Sequence, residues 1–150
     1  MQIKTERLDL ISCTPESYME YYKEYDMGPH INMYLAELKE DPQLMGWGVW
    51  FVIRRSDGKM IGDAGFKGKP DEQLSVEVGY GIVPEAQKQG YATEAVGALI
   101  GWALSSGQVA AVKAECYADN PASVKVLEKL GMKHISSEGD ILLWEKNAAG

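Results

Sequence analysis

The chain is short of the residues that build covalent or metal-held scaffolds. It has two cysteines, Cys13 and Cys116, and two histidines, His30 and His134, in 150 residues. No Cys-x-x-Cys and no histidine pair at ligand spacing occurs, so neither a disulfide framework nor a metal site is indicated. Long apolar runs are missing as well. Residues 49–53 and the glycine-broken 95–104 fall well short of the roughly 18 residues that a bilayer span requires. The opening Met1-Gln2-Ile3-Lys4 has no signal-type apolar region, and a cytoplasmic protein is the expectation. Excess positive charge is the third absence, since 15 Lys and Arg stand against 22 Asp and Glu for a formal net charge of -7. That field repels phosphate backbones and anionic lipid, so no nucleic acid and no membrane is expected as a partner. A cationic or amine substrate suits it better.

What is present is ordinary globular usage, 45% hydrophobic and 25% charged, at a length that suits one domain over residues 1–150. Residues 7–11 read as a first short strand. Pro15 heads a helical stretch to about Tyr25, and a second helix covers residues 31–39. Residues 46–67 change to a β pattern, with a hairpin turning at Asp57-Gly58. Residues 74–83 form another strand, with Val76, Val78, Tyr80 and Ile82 on one face and Glu77, Gly79 and Gly81 on the other. That second face is nearly bare of side chains.

A helix with one apolar stripe follows over residues 91–105, then a strand over 110–117. Strand, helix and strand at this spacing make a βαβ unit, whose strands should be parallel with a right-handed crossover. Asn120-Pro121 opens a last helix that Gly131 closes, and residues 132–145 read as a final hairpin. The fold expected is an α/β (α+β) domain with a mixed, mostly antiparallel sheet flanked by helices.

The chemistry concentrates in Gln87-x-x-Gly90-x-Ala92, where a strand hands over to a helix. The first N–H groups of a helix lack partners and point outward, Gly90 has no Cβ to block approach, and the helix dipole adds positive potential. Such a junction suits an anion, although the six residues alone are also compatible with a plain glycine turn before a helix. The run differs from a Walker loop and from a dinucleotide fingerprint, which leaves a nucleotide-binding domain of another fold as a remote reading.

Five further segments occur in order with that junction: Thr5-Glu6-Arg7-Leu8-Asp9-Leu10, Glu77-Val78-Gly79-Tyr80, Gly90-Tyr91-Ala92-Thr93-Glu94-Ala95, Asn120-Pro121-Ala122-Ser123 and Leu127-Glu128-Lys129-Leu130-Gly131-Met132. With them the chain resembles the GNAT superfamily of N-acetyltransferases, in the branch that includes ribosomal-protein N-terminal (alanine and serine) acetyltransferases. Only about residues 27–47 lie outside the likeness. The resemblance implies a GNAT fold with the two βαβ strands splayed, acetyl-CoA as cosubstrate, and direct transfer to an amine acceptor, either a protein N-terminus or a small molecule. A homodimer is compatible with the family.

By the same resemblance, the stretch Gln87, Lys88, Gln89, Gly90, Tyr91, Ala92 and Thr93 holds the pyrophosphate. Ile82 and Val83 pair their backbone with the pantetheine arm, and one of their N–H groups serves the oxyanion. Asn120 and Ser123 bond the cofactor from the last helix, or act only as N-cap and first-turn residue. A primary ammonium must lose a proton before it attacks, and Glu77 is the candidate base, unless it only orients a loop or binds the substrate's ammonium. The tyrosine that protonates the leaving thiolate in much of the superfamily is replaced by Leu127. Ser123, Tyr117 or solvent then takes that role, and Ser123 is the candidate. The same replacement supports the alternative of a non-catalytic coenzyme A-binding module. Cys116 reads as a small buried hydrophobe, while Trp47, Trp50, Tyr21, Tyr22 and Tyr25 are either packing residues or walls of the acceptor pocket.

Overall fold

The computed structural model describes residues 1–148. Eight strands and four helices follow one another as β1 (Gln2–Lys4), β2 (Leu8–Ser12), α1 (Pro15–Tyr21), α2 (Gly28–Glu40), β3 (Val49–Arg54), β4 (Lys59–Phe66) and β5 (Ser75–Ile82), then α3 (Tyr91–Ser105), β6 (Ala111–Tyr117), α4 (Pro121–Lys129), β7 (Lys133–Glu138) and β8 (Ile141–Asn147). The strands form one sheet in the order β1-β2-β3-β4-β5-β6-β8-β7. Among the described residues only β5 and β6 run parallel. The mixed sheet with its βαβ unit is therefore as expected, and β1 is an addition. Three residues, two of them polar, carry too little pattern to announce a strand, and β1 exists because Gln2, Ile3 and Lys4 pair with Ile11, Leu10 and Asp9.

Helices cover both faces of the sheet. On one, α3 and α4 pack over Leu8, Leu10, Trp50, Val52, Val76 and Val78. On the other, α1 and α2 pack over Cys13, Phe51, Ile53 and Met60. This accounts for the continuous apolar run of β3, because alternate side chains enter two different cores. Within α3, Val96, Leu99 and Ile100 are buried, each contributing roughly 1.5–3 kcal/mol by leaving water. Thr14 caps α1 in a capping box with Ser17, and Asn120 caps α4 by accepting from the Ser123 N–H. Gly131, at φ 77°, closes α4 in the left-handed region.

Helix α1 ends at Tyr21 instead of continuing to Tyr25. The next residues descend onto the sheet, where the Tyr25 hydroxyl donates to Asp63 Oδ2 at 2.7 Å. Helix α2 begins three residues before the expected start, with Pro29 in its first turn.

The feature that positions the site is the short β5–β6 ladder. Its register covers Ser75↔Ala111, Val76↔Val112 and Glu77↔Lys113, and beyond these pairs the strands part.

Candidate functional site

Three constructions meet at the carboxyl end of β5. The first is the loop into α3. Lys88 (φ 64°) and Gly90 (φ 84°) are both left-handed, and no side chain caps α3. As a result, the N–H groups from Lys88 through Thr93 donate to no acceptor among the described residues. Six consecutive free donors at the positive end of a 15-residue helix form a cradle for an anion. Gln87 does not join them through its N–H, which is spent on Pro84 O at 3.2 Å. Its side chain instead donates to Ile82 O at 2.9 Å and ties the loop to the strand.

The cradle is braced from far away in the sequence. Arg7 Nη1 donates to Gln89 O at 2.9 Å, and Arg7 Nε donates to Glu94 Oε1 at 2.7 Å. Thr5 Oγ1 (2.5 Å) and the Arg7 N–H (2.8 Å) both donate to Glu94 Oε2. Burial pushes the Glu94 carboxyl up, but the Thr5 hydroxyl and then Arg7 outweigh it and hold the group below its usual value. The guanidinium also lies over the Tyr91 ring, 4.3 Å from its centroid. A Cβ on Gly90 would stand 3.3 Å from Arg7 Nη2, in a backbone conformation that side chains rarely adopt.

The second construction is the gap between β5 and β6, a cavity of about 290 Å³ lined by Glu77, Tyr80, Cys116, Asn120, Ser123 and Leu127, among others. At one end of the β4–β5 ladder the Lys67 N–H donates to Glu77 O (3.0 Å), and at the other the Val83 N–H donates to Ile61 O (2.8 Å). Antiparallel pairing alternates, so Glu77, Gly79, Gly81 and Val83 spend their peptide groups on β4. The peptides of Val78, Tyr80 and Ile82 turn toward β6, and past Glu77 that strand has left. A free strand edge therefore faces the gap at Tyr80 and at the Ile82 N–H, while Ile82 O accepts from Gln87 and the Val83 N–H is already engaged.

The Tyr80 hydroxyl donates to Ser123 Oγ at 3.2 Å across the gap. Burial raises its pKa, with the Ser123 bond acting in the opposite direction. In the sequence Tyr80 is a core-facing member of its strand and the last residue of the Glu77-Val78-Gly79-Tyr80 segment, and neither place announces its bond to Ser123. Leu127 is buried, Tyr117 is largely exposed, and Cys116 is half-buried on the gap wall instead of enclosed in a core.

The third construction is a cavity of about 580 Å³ on the α2 side of the sheet, bounded by His30, Tyr34, Glu37, Trp47, Asp63 and the bare stretch Gly79 to Gly81. It shares Lys67, Gly79 and Tyr80 with the gap. A Cβ on Gly79 or Gly81 would meet nothing within 4 Å, and neither residue has a positive φ. A strand glycine without steric need weakens its strand, and the space these two leave is open to a ligand. Trp47 does line this cavity, whereas Trp50 is enclosed and donates to Gly46 O at 2.9 Å. Tyr21 is buried in the core and Tyr22 is exposed. Glu77 is held by Lys67 Nζ at 2.5 Å.

The residues present suit a ligand with an anionic end, an extended amide-bearing arm and a reactive tip. The loop offers donors to the first, the free edge of β5 pairs with the second, and the bare glycines admit the third. Among the described residues no cluster of three or more metal-ligating side chains occurs. No helix among the described residues is long and apolar enough to cross a membrane.

A family model described as an acetyltransferase (GNAT) domain matches residues 4–133. The uncharacterized N-acetyltransferase YjdG of Bacillus subtilis (strain 168) is 38% identical over 95 residues, which is 62% of this chain and 56% of that protein. The chain spans about half the length of the first curated relatives it matches. Among solved structures, the ribosomal-protein-S5-alanine acetyltransferase from Vibrio fischeri superposes with a TM-score of 0.79 at 18% identity, over 99% of this chain and 97% of that one. The apo RimL ribosomal L7/L12 α-N-protein acetyltransferase gives 0.79 at 16% identity, over 99% and 98%. At such identities these likenesses concern the fold.

Proposed function

The chain belongs to the GNAT acetyltransferase family, and from that membership we propose that it transfers the acetyl group of acetyl-CoA to an amine. The observation that carries this reading is the continuity of the six free N–H groups of the α3 loop with the unpaired edge of β5. Acetyl-CoA bound there supplies an activated thioester. Lys88 through Thr93 hold its pyrophosphate, and the Tyr80 peptide groups and the Ile82 N–H pair with its pantetheine arm. Asn120 and Ser123 line the opposite wall of the gap.

One free N–H of β5 stabilises the oxyanion as charge develops on the acetyl oxygen. The Tyr80 hydroxyl, joined to Ser123, lines the same gap as Leu127, which stands in the place of the superfamily's tyrosine, and the Tyr80–Ser123 pair supplies the proton for the leaving thiolate. Glu77, with its salt bridge to Lys67, orders the rim shared by the two cavities. The amine enters from the α2 side through the cavity that ends at Gly79 and Gly81. The acceptor is a protein N-terminus or a small-molecule amine, and the fold likeness to ribosomal-protein acetyltransferases makes an alanine- or serine-initiated peptide the first to try. A cytoplasmic setting without nucleic acid or membrane partners fits the acidic charge, and a homodimer is the assembly to test.

Leu127 also supports a second reading, a coenzyme A-binding module without catalysis. Titration calorimetry with acetyl-CoA, followed by a free-thiol assay with a panel of amines, separates the two. Amine-dependent thiol release is expected. Binding without such release would leave the module, and no binding would remove both readings.

A further inference from the structure

On the α2 side of the sheet, a carboxylate and an imidazole stand together in the cavity that the acetyl-transfer reading assigns to the acceptor. We propose that His30 Nδ1 takes the proton from the incoming ammonium group, with Asp63 and Tyr25 as positioning residues. The proposal deepens that reading and rests on it.

Asp63 pairs with Gly81 across the β4–β5 ladder, so its side chain shares a face with the bare glycines. Its Oδ1 lies 3.0 Å from His30 Nε2, and its Oδ2 accepts from the Tyr25 hydroxyl at 2.7 Å. Tyr25 and His30 lie 38 and 33 residues from Asp63 in the chain, the first delivered by the α1–α2 connection and the second by the first turn of α2. The side chain of Asp63 is 18% exposed and that of His30 is 58% exposed. A covered carboxylate thus orients an accessible ring, the division of labour that a base and its orienting acid require.

The tautomer follows from the acceptor chemistry of the carboxylate. An ionised Asp63 only accepts, so the hydrogen between the two groups sits on Nε2. The lone pair of the neutral ring is then on Nδ1, which has no hydrogen-bond partner among the described residues. Other polar or titratable groups also bear on the pair. Tyr34 and Glu37 of α2 and Lys67 beyond β4 line the same cavity. The Cys13 thiol, pushed up to about 12 by burial and then by Asp63, comes from the end of β2, and Asp26 adjoins Tyr25. Glu77, the carboxylate expected to act as base, is engaged by Lys67 at 2.5 Å.

In the step itself an ammonium N–H bond breaks, the proton bonds to Nδ1, and the freed electron pair stays on the amine nitrogen as the nucleophile. The imidazolium is held against the Asp63 carboxylate until water removes the proton. An α-amino group titrates at about 7.7–8.0 and a lysine at about 10.4, so any given base takes the proton from an α-ammonium far more readily than from a lysine. This favours α-amino acceptors.

Two measurements test the pair. Nitrogen-detected NMR of imidazole-labelled protein should show neutral His30 protonated on Nε2, with that pattern lost in Asp63→Asn. An Nδ1-protonated ring would overturn the proposal without any turnover being measured. In the thiol assay with a heptapeptide beginning in alanine, and with spermidine in parallel, His30→Gln should lower kcat/KM by on the order of 10²-fold, with kcat falling more than KM rises. Its acetyl-CoA affinity by calorimetry should stay within about twofold. A variant within about threefold of the parent would return the proton to Glu77. Failure of the parent chain to bind acetyl-CoA would instead sink the acetyl-transfer reading beneath it.

Discussion

The two cavities that meet at Gly79 and Tyr80 are built from different materials. The side proposed for the cofactor is built mainly from main-chain geometry, with left-handed residues at Lys88 and Gly90, free N–H groups and an unpaired strand edge. The side proposed for the acceptor is built from side chains brought from distant segments, Tyr25, His30 and Asp63 among them. Backbone demands restrict residue type at fixed spacings and so leave a pattern in the chain. Side-chain convergence leaves none.

Substitutions can break that contrast or sharpen it. The largest effect is expected at Gly65, on the acceptor side, where an added Cβ would lie 1.9 Å from Gly48 O, a backbone atom that cannot yield. Gly65→Ala should cost about 3 kcal/mol or more, a fall in Tm of roughly 6–12 °C by calorimetric scanning. A loss below about 1 kcal/mol would mean that β3 and β4 do not approach as described.

Gly90→Val comes next. The left-handed φ costs a side chain about 1–2 kcal/mol, and the β-branched group meets Arg7. Acetyl-CoA affinity should fall by about 10- to 100-fold in calorimetry while the far-ultraviolet spectrum is retained. Unchanged affinity would place the anion site elsewhere.

Glu94→Gln weakens the brace beneath the loop and should lower stability at neutral pH by about 1–3 kcal/mol. Because the folded carboxyl lies below its usual value, its contribution is full above about pH 5 and is lost as the pH falls through the folded value. Parent and variant melting curves should therefore run apart by a constant amount above about pH 5 and converge as the pH falls below it. Parallel curves would show that the charge is idle.

The smallest change in stability belongs to Gly79→Ala, within about 0.5 kcal/mol, because its Cβ meets nothing. The same methyl group should raise the acceptor KM several-fold by narrowing the passage between the cavities. A KM equal to that of the parent would mean that the open space has no occupant.

The contrast also explains what could be read from the chain. Residues 91–105 announce α3 by apolar periodicity, and Asn120 and Gly131 bracket α4 by capping chemistry, all local rules. Gln87 is subtler, since its place in the motif was legible while its division between side chain and N–H was not. Tyr80 looked like one more inward residue because alternation says which face a side chain takes and nothing of its reach to Ser123. Thr5, Arg7 and Glu94 were visible as two separate motifs. Only folding shows them to be one cluster, with Arg7 and Glu94 87 residues apart.

That separation has a consequence for the order of events on the ribosome. Thr5 and Arg7 emerge first, yet the carboxylate that anchors them follows long afterward, and β1 and β2 must wait beside a half-made sheet. Until then the loop before α3 lacks its strut. Removing the first seven residues, or fusing a bulky tag against them, should slacken a phosphate cradle assembled from the middle of the polypeptide.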